Sequence, residues 1–249
     1  MGKMIEQLAL ARGHTITAIV DPALIQAVPA GSSGGVKVSK SIEEADFSSV
    51  NAAIEFTQPS TAAANIIALA QRKVPVITGT TGWLESMAEV KQAVEKAKSS
   101  LLWASNFSIG VNLFYRIAWY AAELMDKYSE YDVGGFEAHH NKKLDSPSGT
   151  AKTLAEGVLS KIERKKKIVW ETMNRRPEAD EIHFPSLRMG SVPGTHSLFF
   201  DSPADTIEVT HTARSREGLA SGAVRAAEWL VAENRQGIFT IDDMLKELS

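Results

Sequence analysis

The chain has 249 residues, 44% hydrophobic and 23% charged, enough for one large domain or two small ones that bury roughly three quarters of their unfolded surface. Its 27 basic and 30 acidic residues leave a net charge of -3, which offers no field to attract nucleic acid or an anionic membrane, so small molecules are the expected ligands. Zero cysteines exclude disulfides, thiolate nucleophiles and sulfur-ligated zinc, and no secretory segment or membrane-length apolar run occurs, so a cytoplasmic chain is expected.

The opening "MGKMIEQLALARGH" is already helical in pattern, with Gly2 at its head. Short β-rich runs then alternate with helices. "TITAIVD" (15–21), "AAIEFT" (52–57), "VPVIT" (74–78) and "LLWAS" (101–105) read as buried strands, and 60–72 and 85–98 carry helical apolar spacing. That alternation predicts a parallel sheet covered on both faces. After "SNFSIGVN" the texture changes. An amphipathic helix over 109–127 precedes "YDVGGFEAHH", "KIVWETM", "IHFPSLRMG", "HSLFFD" and "DTIEVTHTA", with one helix over 150–163 among them. Alternating strands of this kind predict an α+β domain with a mostly antiparallel sheet. From 217 the helical "EGLASGAVRAAEWLVAENRQG" is expected to pack back on the first domain. The expected fold is α/β: a discontinuous Rossmann-like dinucleotide-binding domain, 1–106 and 217–249, and an α+β substrate-binding domain, 107–216.

In an open α/β sheet, ligands bind beyond the carboxyl ends of the strands, and here those ends are polar. They carry Asp21, then Thr57, then Gly79, Thr80 and Thr81, then Ala104, Ser105, Asn106 and Phe107. Asp21 lies about 20 residues past Gly2, where a dinucleotide fold places the carboxylate for the adenosine ribose. An isolated Asp-Pro also reads as a solvated strand end, and "GTTG" also reads as a helix-capping connector. No basic residue follows Asp21 before Lys37, which favours NADH and leaves NADPH possible. A dinucleotide fold opens with a strand and G-x-G-x-x-G, of which only Gly2 can be the last glycine here; the innermost strand and most of the pyrophosphate loop are missing from the pattern. Either the sequence starts late or the dinucleotide reading fails.

The loop "EAHHNKKLDSPSGTA" (137–151) separates the two. Period two in a strand sends His139 and His140 to opposite faces, so they are poor partners for one metal ion and no metal is expected. One can deliver a proton, since imidazole titrates near neutral pH, and the other can bind ligand. Lys143 adds a fixed charge and a second proton donor. Ser148, Gly149 and Thr150 lead into a helix whose unpaired amides suit a carboxylate or phosphate. The plainer reading is that Ser148 or Thr150 caps the helix and the histidines are solvated.

"EAHHNKKLDSPSGTA", "GTTGW", "EFTQPS", "SNFSIGVN" and "RSREGLASGAVRAAEWL" together resemble the 4-hydroxy-tetrahydrodipicolinate (dihydrodipicolinate) reductase family, in the family's order from residue 1 to the C-terminus. The resemblance implies NAD(P)H-dependent reduction of a cyclic imine-containing dicarboxylate in lysine and diaminopimelate biosynthesis. It implies His139 as proton donor or acceptor, Lys143 as second donor, and His140, Gly149 and Thr150 as substrate ligands, beside the Ser148 hydroxyl. Gly79 to Thr81 and Ala104 to Phe107 would line the nicotinamide half of the cofactor site and Asp21 the ribose, with Thr57 and Gly2 at neighbouring strand and helix ends. A homotetramer built through the second domain's sheet is also implied.

Other features are plainer. "ERKKK" (163–167) reads as a solvated helix end. His196, His211 and Glu208 can be assembled on paper into a metal site, though sheet neighbours explain His196 as well. Arg216 can hold substrate or join the domains. Rival functions are a metal-dependent hydrolase, a non-catalytic dicarboxylate-binding module, and another two-domain NAD-dependent oxidoreductase of a small acid.

Overall fold

A computed structural model describes residues 1–23 and 36–247 of the chain. It divides into two compact units, Met1–Ser108 with Leu219–Ser249, and Ile109–Gly218.

The first unit opens with α1 (Gly2–Ala11), followed by β1 (Ala18–Val20), β2 (Lys37–Ser39) and β3 (Ala53–Glu55). The next elements are α2 (Pro59–Gln71), β4 (Val76–Thr78), a 3-10 turn at Leu84–Ser86, α3 (Met87–Ala97) and β5 (Ser100–Trp103). Pro59 occupies the first position of α2, where its missing N–H leaves no bond unmade. Ala62, Ile66, Leu69 and Ala70 then recur at helical spacing and are buried with Val76 and Leu101 of the sheet. Each large side chain in this core contributes about 1.5–3 kcal/mol of burial.

The second unit comprises α4 (Ile109–Met125), β6 (Asp132–His139), α5 (Gly149–Leu159), β7 (Lys167–Val169), β8 (Glu181–His183), β9 (Ser186–Arg188), β10 (Thr195–Asp201) and β11 (Thr206–Thr212). Its sheet runs β11-β10-β6-β8-β7, with β9 also alongside β6. The two long pairings, β10 with β11 and β10 with β6, are antiparallel, whereas the short β7, β8 and β9 pair in parallel, so the sheet is mixed. Alternation sends Val133 of β6 and Leu198 and Phe200 of β10 into one apolar core with α4 and α5.

The basic run 163–167 lies beyond the end of α5, and though Glu163, Lys166 and Lys167 are exposed, Arg164 and Lys165 are not solvated. Lys165 is 4% exposed, and its ammonium donates to Asp132 and to the carbonyls of Ala179 and Glu181. Arg164 donates to the Tyr131 carbonyl and to Asp126. These carbonyls and carboxylates replace the water that each cation gives up on burial.

The chain then returns to the first unit through α6 (Glu217–Ala232), β12 (Gly237–Thr240) and α7 (Ile241–Glu247). Helical spacing alone predicts only the first of these; β12 is four residues long and takes its form from pairing with β5. The parallel order is β12-β5-β4-β3, and β1 pairs with β2 in a separate parallel ladder, a Rossmann-like arrangement. On α6, Ala220 and Val224 pack on Ile5 and Ala9 of α1, and Arg12 forms a two-pronged pair with Glu228. Gly222 is required at its place, since a Cβ there would stand 1.7 Å from the Phe107 carbonyl oxygen. No described helix is long and apolar enough to cross a membrane.

Candidate active site

One face of the second unit's sheet changes character along its strands. Its middle is apolar, through Val133, Leu198 and Phe200, and its end is polar. Glu137 and His139 lie two residues apart on β6 and so share that face. The antiparallel register sets His196 directly across from Glu137, and His211 across from His196. On the other side, parallel pairing sets Ser186 beside Glu137 and Arg188 beside His139. The result is a polar row across four strands, with Glu137 fully buried, His196 4% exposed and His139 8% exposed.

Glu137 is the hub. Its Oε1 accepts from Arg188 Nη2 at 2.8 Å and from the Ser148 amide at 3.2 Å. Its Oε2 abuts His139 Nδ1 in an ion-pair contact, and neither atom has a hydrogen-bond partner. Burial acts to raise the Glu137 carboxyl, but donation from Ser186 and Arg188 and the His139 charge outweigh it and hold the pKa at about 2. Burial lowers the pKa of His139, opposed by the Glu137 charge. Burial likewise brings His196 down to about 4, so it is neutral at physiological pH. The His139 and His196 rings meet edge to face at 5.2 Å. His139 Nε2 lies beside Gly194, where a Cβ would crowd it at 3.0 Å.

The loop after β6 carries the remaining predicted groups. His140 faces away from His139, half-buried, with Nδ1 unpartnered. Lys143 pairs with Asp145 at 2.8 Å, and Arg188 donates to the Asp145 carbonyl at 2.7 Å, tying the loop back to β9. Ser148 is the N-cap of α5: its Oγ accepts from the Ala151 amide at 3.1 Å and lies 3.3 Å from His196 Nε2. Gly149 is exposed and Thr150 half-buried, which leaves their first-turn amides available to an anion. The structure therefore brings Lys143, Ser148, Gly149 and Thr150 onto one loop-and-helix turn that follows His139 at the end of β6. Arg216 is exposed between β11 and α6, and among the described residues no hydrogen bond or ion pair joins it to this cluster.

In the first unit, the predicted residues sit at strand ends. Asp21 follows β1, and its Oδ1 accepts from the Ala23 amide at 2.8 Å. Gly2 opens α1. Thr57, Gly79 and Thr80 follow β3 and β4 and, with Met1, Phe56, Pro59 and Thr81, line a recess of about 290 Å³. The Thr57 amide donates to Thr80 Oγ1 at 2.8 Å. Ala104 and Phe107 are buried after β5, Ser105 is exposed, and Asn106 Oδ1 accepts from the Ser108 amide. The donor set of amides and threonine hydroxyls beside a recess at parallel strand ends fits part of a dinucleotide. The stretch between Asp21 and Lys37, whose lack of basic residues bears on cofactor choice, lies mostly outside the described residues.

Several residues that shape these sites carry no motif. Glu137, Arg188, His196 and Gly194 are drawn together by strand pairing, and Glu55, 5% exposed, accepts from Thr57 and from the Thr78 hydroxyl. A glutamate inside the apolar strand "AAIEFT" and one two residues before a histidine were the available signals. The paper metal set of His196, His211 and Glu208 does not assemble, because Glu208 is three residues from His211 on β11 and faces the other way. Glu137, His139 and His196 do bring ligand-type atoms within 4.8 Å of one another. Glu137, however, already answers Arg188 and His139, and Lys143 adds a further positive charge nearby, so the group is charge-balanced for handling a proton.

Two family models match the chain: Dihydrodipicolinate reductase, N-terminus, over residues 1–107, and Dihydrodipicolinate reductase, C-terminus, over residues 110–245. The 4-hydroxy-tetrahydrodipicolinate reductase of Christiangramia forsetii is 38% identical over 250 residues, covering 100% of this chain and 95% of that protein. The protein of the same name from Archaeoglobus fulgidus is 38% identical over 256 residues, covering 99% and 96%. Among solved structures, dipicolinate-bound dihydrodipicolinate reductase from Paenisporosarcina sp. TG-14 matches with a TM-score of 0.76 at 20% identity, over 96% of this chain and 92% of that one, a likeness of fold.

Proposed function

The chain belongs to the dihydrodipicolinate reductase family, and from that premise we propose that it reduces 4-hydroxy-tetrahydrodipicolinate to tetrahydrodipicolinate with NAD(P)H, in lysine and diaminopimelate biosynthesis. The observation that carries the reading is the meeting, at one end of one sheet, of a buried Glu137–His139 pair with the amide-rich turn 148–150.

The nicotinamide cofactor supplies a hydride when bound; Gly2, Asp21, Thr57, Gly79 to Thr81 and Ala104 to Phe107 are the residues assigned to hold it. NADH is the favoured form, because no basic residue stands between Asp21 and Lys37 to meet a 2′-phosphate. The protein's own part is binding and proton delivery. A dianionic substrate needs two cationic or amide-rich anchors, which His140, Lys143, Ser148, Gly149, Thr150 and Arg216 supply. As hydride reaches the conjugated imine system, negative charge develops on the ring, and protonation by His139, with Lys143 as the second donor, lowers that barrier. The oxygen substituent of the substrate leaves as water. The 1–106 and 217–249 segments act as the dinucleotide-binding domain and 107–216 as the substrate-binding and tetramerisation domain, in a cytoplasmic homotetramer.

The test is substrate-dependent oxidation of NADH, with substrate formed in the cuvette from pyruvate and aspartate semialdehyde by the preceding synthase. Turnover dependent on both substrate and cofactor supports the reading. Cofactor-independent disappearance of substrate, or none with either NADH or NADPH, would overturn it.

A further inference from the structure

We propose that Glu137, anchored by Arg188, is the positioning residue that fixes the tautomer and orientation of His139, so that Nδ1 carries a proton toward the carboxylate and Nε2 faces the reacting substrate. The proposal rests on the reductase reading for its catalytic consequence and on geometry alone for the tautomer.

Three observations converge. Glu137 is fully buried with one oxygen in ion-pair contact with His139 Nδ1, and neither of these two buried atoms has a hydrogen-bond partner among the described residues, so each is left to the other. Its other oxygen is saturated by the Arg188 guanidinium and the Ser148 amide, so the carboxylate cannot rotate away. Nε2, on the far side of the ring, lies beside Gly194, where a Cβ would crowd it at 3.0 Å. An ionised acceptor at Nδ1 makes Nδ1–H the neutral tautomer and stabilises the imidazolium from which Nε2–H can be given up. The other charged and titratable groups facing His139 are Arg188 on β9, Lys143 with its partner Asp145 on the loop, and His196 on β10, with His211 of β11 behind it. Of these only Glu137 touches Nδ1. Arg188 joins three parts of the site at once, since it also binds the Asp145 carbonyl on the Lys143 loop.

The geometry also dictates what Glu137→Gln does. Arg188 and the Ser148 amide are both donors, so the new carbonyl must take the Oε1 place and the NH₂ must face Nδ1. Nδ1 then becomes an acceptor and the ring proton moves to Nε2. An Asp→Asn change in a Ser-His-Asp triad follows the same logic, losing roughly 10⁴-fold in kcat through the wrong tautomer.

The experiment is two-bond ¹H–¹⁵N correlation on the ¹⁵N-histidine-labelled protein at a pH where His139 is neutral, with His139→Gln to identify its signals. The expected result is the Nδ1–H pattern in the wild type and the Nε2–H pattern in Glu137→Gln, with kcat lower by roughly 10²–10⁴-fold and substrate KM little changed. Glu137→Asp, which keeps the charge, should restore the Nδ1–H pattern and part of the rate. If Glu137→Gln fails to fold, Arg188→Gln substitutes for it and should give a mixture of tautomers with an intermediate rate. An unchanged tautomer in a folded variant overturns the inference, as does a switched tautomer with full turnover. A tautomer switch in a chain whose wild type reduces nothing would instead count against the reductase reading and leave the tautomer assignment standing.

Discussion

Glu55 in the first unit and Glu137 in the second are both buried carboxylates near the C-terminal ends of strands, but their donors differ in kind. Glu55 is met by the amide and hydroxyl of Thr57 and the hydroxyl of Thr78, all neutral. Glu137 has neutral donors too, the Ser148 amide and the Ser186 hydroxyl, but it is also met by a guanidinium and an imidazole. Neutral donors order a carboxylate without adding a second titrating group, so Glu55 stiffens the two loops around the recess between β3 and β4. Charged donors couple the carboxylate to a group that can carry a proton, which suits Glu137 to chemistry. A buried carboxylate thus acts as a scaffold or as an electrostatic partner according to what surrounds it.

The largest expected effect tests that division directly. Substituting His139→Gln should lower kcat by roughly 10²–10⁴-fold while leaving cofactor affinity unchanged, as read by steady-state kinetics and NADH fluorescence titration. Glu55→Gln should do the reverse, weakening cofactor binding with a smaller effect on kcat at saturation. Matching kcat losses in both variants at unchanged cofactor affinity would end the comparison.

Acid stability tests the Glu137 cluster next. Glu137 titrates at about 2 in the folded chain against 4.5 for an unperturbed group. A depressed folded pKa adds stability above the unfolded value, and that stability is lost as pH falls from about 4.5 to about 2; the total is on the order of 3 kcal/mol. His196, depressed from 6.5 to about 4, works in the same direction one window higher, so stability falls as pH drops from 6.5 toward 4. Urea unfolding from pH 7 to pH 3 should show the upper slope flattened in His196→Gln and the lower slope flattened in Glu137→Gln. Slopes identical to wild type in both would refute the assignment.

Glu55→Gln should cost roughly 1.5–3 kcal/mol near neutral pH through lost hydrogen bonds to a charged acceptor, measurable as a lower urea midpoint at unchanged m-value. The smallest effect belongs to the surface. Lys91 and Glu95 on α3 approach to 3.9 Å with both side chains more than half exposed, so Lys91→Ala should change stability by less than about 0.5 kcal/mol. A larger loss there would mean that exposed pairs matter in this protein as buried ones do.

Much of this architecture was legible in the residue pattern. The spacing of Ala62, Ile66 and Leu69 marked α2, and the β-rich runs marked β3 to β5 and β6 to β11. The missed elements were β2, β12 and α7. Lys165 shows the limit of reading charge from sequence: five successive basic and acidic residues look solvated until two carbonyls and Asp132 are found around the ammonium.

By itself the sequence determined that His139 and His140 part to opposite faces, that Glu137 accompanies His139, and that Ser148 can cap the helix that follows. These are consequences of period two and of local capping, which act between near neighbours. Only the tertiary structure decided that His196 stands across from Glu137, that Arg188 donates to the carboxylate, and that Gly194 lies beside Nε2. Those contacts join residues about 50 positions or more from Glu137 and His139. Strand order and register create them, and both are set by how the whole sheet buries its apolar face rather than by any residue's local preference.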